Sequence, residues 1–126
     1  CYNASPDAME ATLAVLGGMA PEGRRFAVLG SMLELGDYAE EGHRRAGRAA
    51  AKHSVALYAY GPDAAAMVAC AKENGMEHAY AFDDQVALAA ALRQDAKPGD
   101  ALLFNGSRGM RMERALAMFL GEDVEE

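Results

Sequence analysis

The sequence predicts an α/β fold, a mostly parallel sheet with helices on both faces in three layers. Two observations carry this. Short, continuous apolar runs recur at residues 26–29, 55–60 and 101–104, each the length of a strand buried on both faces. Between them lie stretches whose apolar residues recur at helical spacing, and such alternation is the pattern of parallel βαβ units. No internal repeat or low-complexity segment interrupts it.

In chain order, Ser5, Pro6 and Asp7 open a helix: an N-cap, a proline at the first helical position and an acid in the first turn. Met9, Leu13 and Leu16 follow at helical spacing, and Gly17-Gly18 ends the helix. Residues 1–4 are expected to close a strand or form the loop after one. Pro21 and Gly23 mark a loop. Residues 24–30 form the organising strand, which feeds a loop over 31–36. Asp37 and Glu40 are spaced for a capping box on a helix over about 38–52. Its acids, Glu40 and Glu41, come early and its bases, Arg44, Arg45, Arg48 and Lys52, come late, which suits the helix dipole. Ala39, His43, Ala46 and Ala50 share its buried row. Residues 55–60 make the next strand, and Gly61-Pro62-Asp63 turns into a helix with Met67, Val68 and Ala71 on its stripe. Asn74-Gly75 ends that helix. A shorter strand covers 78–82. Asp83 or Asp84 caps a fourth helix bearing Val86, Ala89 and Leu92. Residues 97–100 turn into the strand 101–104. The last helix carries Met112, Leu116, Phe119 and Leu120. Residues 1–120 are thus expected to form one Rossmann-like domain, and 121–126 an acidic, frayed tail.

A chain of 126 residues can bury a real core in one domain. The net charge of −7 speaks against a nucleic-acid surface, which needs a basic stripe. Glu122, Asp123, Glu125 and Glu126 supply much of it, so the acidity is mostly a solvated end. Cys1 and Cys70 imply no disulfide framework, and a reducing compartment is expected. No apolar run approaches a membrane span, and no stretch has the make-up of a signal peptide. The chain opens directly on a motif, which predicts a segment of a longer protein.

Ligands of open parallel sheets sit at the carboxyl ends of the strands. The loops at 30–36 and 105–109 are therefore the candidate site. In Gly106-Ser107-Arg108-Gly109, backbone N–H groups at a helix start favour an anion, and Arg108 adds a fork of donors for phosphate or carboxylate. The plainer alternative is a strand-to-helix turn with Ser107 as N-cap. His43, in an alanine-lined row, is more simply a hydrogen-bonded core residue than a reactive one. His43, His53 and His78 are scattered without ligand spacing, so no metal site is expected. Glu34 is an acid at a strand end, either solvated or facing the crevice. The eight methionines read as core filler. Neither a GxxxxGKS/T phosphate loop nor GxGxxG occurs, so nucleotide hydrolysis and dinucleotide binding are not expected of this domain alone. Pattern and composition reach an α/β domain with a candidate anion site, and no reaction.

Three stretches together go further. Tyr2-Asn3-Ala4-Ser5-Pro6-Asp7-Ala8-Met9 resembles the Y-N-A-N-P-x-S-M segment that opens the C-terminal domain of Mur ligases. Leu29-Gly30-Ser31-Met32-Leu33-Glu34-Leu35-Gly36 resembles that family's L-G-D-M-x-E-L-G, with His43 at its histidine a few residues later. Asn105-Gly106-Ser107-Arg108-Gly109-Met110, with Met112-Glu113, resembles its K-G-S-R-x-M-x-M-E. The set runs in the right order, covers nearly the whole chain and looks like the branch of the family that adds D-alanyl-D-alanine to UDP-N-acetylmuramoyl-tripeptide in peptidoglycan synthesis.

That resemblance implies the C-terminal domain of a three-domain, ATP-dependent ligase of the bacterial cytoplasm, inactive alone. Its partners would be an N-terminal UDP-sugar domain, a central domain holding most of the ATP and Mg²⁺, and the two substrates, with no nucleic acid or membrane; the protein would be a monomer. ATP would convert the tripeptide carboxylate to an acyl phosphate, the incoming amine would attack, and phosphate would leave. The C-terminal domain would contribute positioning and exclusion of water. By matching position, Tyr2, Asn3 and Ser5 would lie near the ribose and base. Ser31, Glu34, His43, Asn105, Ser107 and Arg108 would line the substrate and anion crevice, with Arg108 as anion clamp and no residue catalytic in isolation. Three positions depart from the family pattern: Ser5 stands for an Asn, Ser31 for an Asp and Asn105 for a Lys. The last two are expected to face each other as a neutral replacement for an ion pair. The departures keep alternatives open: a degenerate ligase domain, or a stand-alone nucleotide- or anion-binding domain. A sibling ligase that adds another amino acid fits the loops at 29–36 and 106–108 less well.

Overall fold

The computed structural model describes residues 5–19 and 22–121. The expected strand end at 1–4, Pro21 and the tail at 122–126 lie outside the described residues. Four parallel strands, β1 (Arg25–Gly30), β2 (Ala56–Tyr60), β3 (His78–Phe82) and β4 (Ala101–Asn105), form a sheet in the order β3-β2-β1-β4. Five helices connect and flank them: α1 (Pro6–Gly17), α2 (Ala39–His53), α3 (Ala64–Glu73), α4 (Gln85–Asp95) and α5 (Met112–Leu120). β1 is paired on both sides, with β2 from Phe26 opposite Ala56 and with β4 from Arg25 opposite Ala101.

Successive side chains of a strand point to opposite faces, so each strand serves two cores. Ala27, Leu29, Leu57, Ala59 and Ala79 pack with Met9, Leu13 and Leu16 of α1, Ala46 and Ala50 of α2, and Met67 and Ala71 of α3. The alternate residues Phe26, Val28, Ala56 and Tyr58 pack with Leu88 and Leu92 of α4 and Met112 and Ala115 of α5. This produces helices on both faces of a parallel sheet, as the strand-helix alternation predicts. β3 is an edge strand, and only Ala79 along it is buried.

Local rules hold at several boundaries. Ser5 caps α1 by accepting from the Ala8 N–H at 3.1 Å, and Asp84 caps α4 by accepting from the Val86 N–H at 2.9 Å. Three expectations fail for tertiary reasons. The Asp37–Glu40 capping box does not form: a short 3-10 turn, Gly36–Tyr38, leads into α2, whose N-cap Tyr38 makes no side-chain cap bond. Val86 is 62% exposed, because Leu88 and Leu92 hold the sheet-facing row of α4. Leu116 and Leu120 also face outward, since α5 turns Met112 and Ala115 to the sheet.

The small residues of α2 serve helix–helix contact. A Cβ on Gly47 would sit 2.3 Å from the Met67 carbonyl oxygen, so the α2 and α3 backbones touch there. At the amino ends of β1 and β4, the Asp100 carboxylate accepts from the Arg24 N–H at 2.7 Å, the Lys97 N–H at 2.8 Å and the Arg24 guanidinium at 3.1 Å.

Gly47→Ala is expected to force α2 and α3 apart and cost about 1–3 kcal/mol, read by chemical denaturation. The backbone N–H bonds from Arg24 and then Lys97 hold the Asp100 carboxyl below its ordinary range. Its folded value therefore lies below its unfolded one. The stabilisation is complete above the unfolded value, near pH 4, and fades as pH falls through the folded value. Asp100→Asn should lower Tm at neutral pH, and the gap to the parent protein should narrow below about pH 4. A gap independent of pH would exclude the carboxylate as its source.

Candidate functional site

β1 and β4 are neighbours although β4 follows β3, so the connections leaving β1 and β4 diverge at the carboxyl edge of the sheet. Such a point opens a crevice in a parallel sheet. Glycines bring the two strand ends close. A Cβ on Gly106 would lie 2.9 Å from Gly30 Cα, and one on Gly30 would lie 2.8 Å from Met112 Sδ.

The loop after β1 is held by three successive backbone N–H groups, each bonded to a different element. Ser31 N–H donates to the Tyr60 carbonyl of β2 at 2.9 Å. Met32 N–H donates to His43 Nε2 of α2 at 2.8 Å. Leu33 N–H donates to Ser107 Oγ, after β4, at 2.8 Å. Ser107 N–H returns a bond to the Ser31 carbonyl at 3.2 Å. The Leu33 side chain fills the space beside Gly109, where a Cβ would come within 2.7 Å of Leu33 Cδ1. Beyond this tie, Glu34 adopts φ 65° and Gly36 φ 59°. A left-handed conformation costs a non-glycine residue about 1–2 kcal/mol. It persists at Glu34 because Leu33 is fastened on one side and Leu35 packs against the core on the other.

Most of the sequence-predicted residues now have a place. Ser31 is fully buried; its hydroxyl accepts from the Asp63 N–H at 3.0 Å and donates to the Tyr60 carbonyl at 3.3 Å. Asn105 Oδ1 accepts from the Gly106 N–H at 2.9 Å. The two side chains therefore serve opposite neighbours of β1 and do not form the expected pair. Strand register is the reason. Leu29 lies opposite Asn105, and two residues further on it is Ser107 that meets Ser31. His43 is fully buried and lines no surface. Its Nε2 accepts from Met32 N–H and so carries no proton, while Nδ1 donates to the Ala39 carbonyl at 2.6 Å. Asp63 Oδ2 stands 3.7 Å from the same Nε2, an ion pair only for a protonated ring. Glu34 and Arg108 are exposed at the rim, and Ser5 is the cap of α1. Tyr2 and Asn3 lie outside the described residues.

The loop at 105–111 is neither a bare anion nest nor a serine-capped helix start. Four of its N–H groups are already used: Gly106 to Asn105 Oδ1, Met110 to Ser107 and Arg111 to Arg108 within the loop, and Ser107 to Ser31 of the other loop. A short 3-10 turn, Arg108–Met110, makes no side-chain cap bond with Ser107, and α5 starts after Arg111 in the left-handed region at φ 53°. Arg108 itself is exposed. Sequence reasoning missed Tyr60 and Asp63, which bond Ser31 from the end of β2. Their position at a strand's carboxyl end is the signal that marks them. It also missed a cleft of about 370 Å³ beyond Gly109, lined by the starts of α4 and α5.

Among the described residues no group of three His, Cys, Asp or Glu could hold a metal ion. No helix among them is long and apolar enough to cross a membrane.

Fold and site together define a Rossmann-like domain with a polar crevice at the carboxyl edge of a four-stranded parallel sheet. Residues 1–108 match the family described as Mur ligase, glutamate ligase domain, and the chain belongs to it. It is 38% identical over 125 residues to the UDP-N-acetylmuramoyl-tripeptide–D-alanyl-D-alanine ligase of Synechocystis, covering 97% of this chain and 27% of that protein. The Bacillus subtilis ligase of the same name is 32% identical over 114 residues, covering 89% of this chain and 25% of that one. The chain thus spans about a quarter of the length of these relatives. Two solved structures are similar in fold. MurF ligase from Thermotoga maritima, in complex with ADP, has a TM-score of 0.80 at 32% identity, and MurF from Acinetobacter baumannii has 0.83 at 29%. Each comparison covers 96% of this chain and 27% of the other.

Ser107→Ala removes the acceptor of Leu33 N–H and leaves that group unpaired between two loops. The expected cost is about 1–2 kcal/mol in denaturation, with faster hydrogen exchange at the Leu33 amide. Unchanged exchange at Leu33 would exclude the tie.

Proposed function

We propose that this chain is the C-terminal domain of an ATP-dependent ligase that joins UDP-N-acetylmuramoyl-tripeptide to D-alanyl-D-alanine. The observation that carries the reading is similarity over nearly the whole chain to relatives bearing that name. The tied crevice loops, which hold two of the three family motifs, support it. The parent protein would contain central and N-terminal domains and work in the bacterial cytoplasm. ATP supplies the phosphoryl group that activates the tripeptide carboxylate. Mg²⁺ would be held by the central domain.

The residues of this chain act by position. The 31–33 loop and the 105–108 loop brace one another, so the crevice rim needs little reordering when the domain closes. Arg108, at the rim, presents a planar donor fork to a phosphate or carboxylate. Ser31, Asn105 and His43 lie beneath and keep the two loops in register. Glu34 is exposed at the rim. Tyr2, Asn3 and Ser5, at the opening motif, are assigned to the nucleotide side by resemblance alone.

A second reading, ancestry without ligation, is favoured by one observation. Ser31 and Asn105 are satisfied within the domain as neutral groups and hold no charge toward a substrate. Ligation assayed by phosphate release, with the longer protein that contains this chain, separates the two. Turnover is expected, and Arg108→Ala should lower kcat/KM by about 10- to 100-fold. No turnover with the dipeptide would overturn the ligase reading in favour of the second.

A further inference from the structure

The amino edge of the sheet, opposite the crevice, carries a cavity of about 430 Å³. It opens where α4 ends, and its walls come from the first residues of the three strands β1, β2 and β3. The volume is that of a small-molecule site. Its lining is aromatic. Phe26 stacks on Tyr58 with ring centroids 5.8 Å apart, and Tyr58 meets Tyr80 at 5.4 Å. Phe26 and Tyr58 are buried and make the floor, whereas Tyr80 and Val55 are exposed at the mouth. Tyr58 and Tyr80 lie opposite each other in the parallel ladder, and His78, two residues before Tyr80, shares its face.

The charges around these rings are mostly positive, in a chain whose net charge is −7. The Arg24 guanidinium is held in place. Its Nη2 donates to the Asp95 carbonyl at 2.9 Å and to the Asp100 carboxylate at 3.1 Å, and its Cζ lies 4.8 Å from the Phe26 ring centroid. The side chain is still 48% exposed, so the rest of its donor fork can meet a ligand. His78 Nδ1 and the Tyr80 hydroxyl share a hydrogen bond at 3.0 Å, which steadies both rings at the mouth. Lys97 is exposed, and among the described residues its ammonium makes no ion pair. The acid in the lining, Asp95, accepts from the Tyr58 hydroxyl. Burial, and then this bond, raises the Tyr58 pKa above its ordinary value, so the hydroxyl remains a donor and keeps that carboxylate turned to the floor. Core packing accounts for Phe26 and Tyr58. It does not account for two cations and a histidine gathered round an open aromatic surface, where like charges repel.

We propose that this cavity binds a planar aromatic anion, its ring laid against Tyr80 and Val55 and its acid group toward Arg24 and Lys97. The site lies at the opposite strand ends from the crevice loops, so it stands apart from the function proposed above.

The test is an NMR titration of the chain with phenyl phosphate, cyclohexyl phosphate and phenol. Phenyl phosphate is expected to shift the amides of Val55, His78, Tyr80 and Lys97. The other two probes, one without the flat ring and one without the charge, should bind about fivefold or more weakly. Lys97→Gln should weaken phenyl phosphate by about three- to tenfold and leave phenol unchanged, and Tyr80→Leu should weaken both. Both side chains are exposed, so the variants keep the fold. No shift at these amides, equal binding of the three probes, or an affinity unchanged in both variants overturns the site. Shifts confined to the loops at 30–36 and 105–109 would put the anion at the crevice and overturn it as well.

Discussion

Three successive N–H groups, at residues 31–33, fix the architecture of the crevice. A chain leaving a buried strand cannot abandon its backbone donors without a penalty. Here each donor finds a partner from a different element: the β2 carbonyl of Tyr60, the α2 ring of His43 and the Ser107 hydroxyl after β4. One short loop therefore ties together three pieces of structure that are far apart in sequence. The positive φ at Glu34, the burial of His43 and the seating of the 105–109 loop all depend on it.

The β1–β4 pair is secured at both ends. At the amino end the Asp100 carboxylate gathers the N–H groups of Arg24 and Lys97; at the carboxyl end Ser107 does similar work with an uncharged side chain. Between them the pairing is plain backbone ladder, with glycines at positions 30 and 106 setting how near the exits come. Precision comes from fastening the backbone beneath the exposed rim residues Glu34 and Arg108.

Much of this was legible in the chain. The four strands lie where apolar runs of four to six residues predict them. The caps at Ser5 and Asp84 obey local rules, and the two crevice loops lie at the carboxyl ends of β1 and β4, where a parallel sheet places its ligands. The roles of individual residues were less legible. Ser31 and Asn105 read as facing partners because both end strands, but a two-residue offset in register hands that place to Ser107. His43 read as core or site; it is core, and it shapes the site through a backbone N–H. Val86, Leu116 and Leu120 looked like buried apolar positions, although their helices turn other residues to the sheet.

The sequence by itself determined the alternation of elements, the parallel sheet, the crevice loops and the family, because these depend on local propensity, short-range periodicity and motif order. Tertiary structure decided the register between β1 and β4, the partner of each loop N–H, the contact of α2 with α3 at Gly47 and the cleft that brings Asp83 and Asp84 near Arg111 and Arg114. These depend on distances between residues many positions apart. Such distances arise only when the helices have packed on both faces of the sheet.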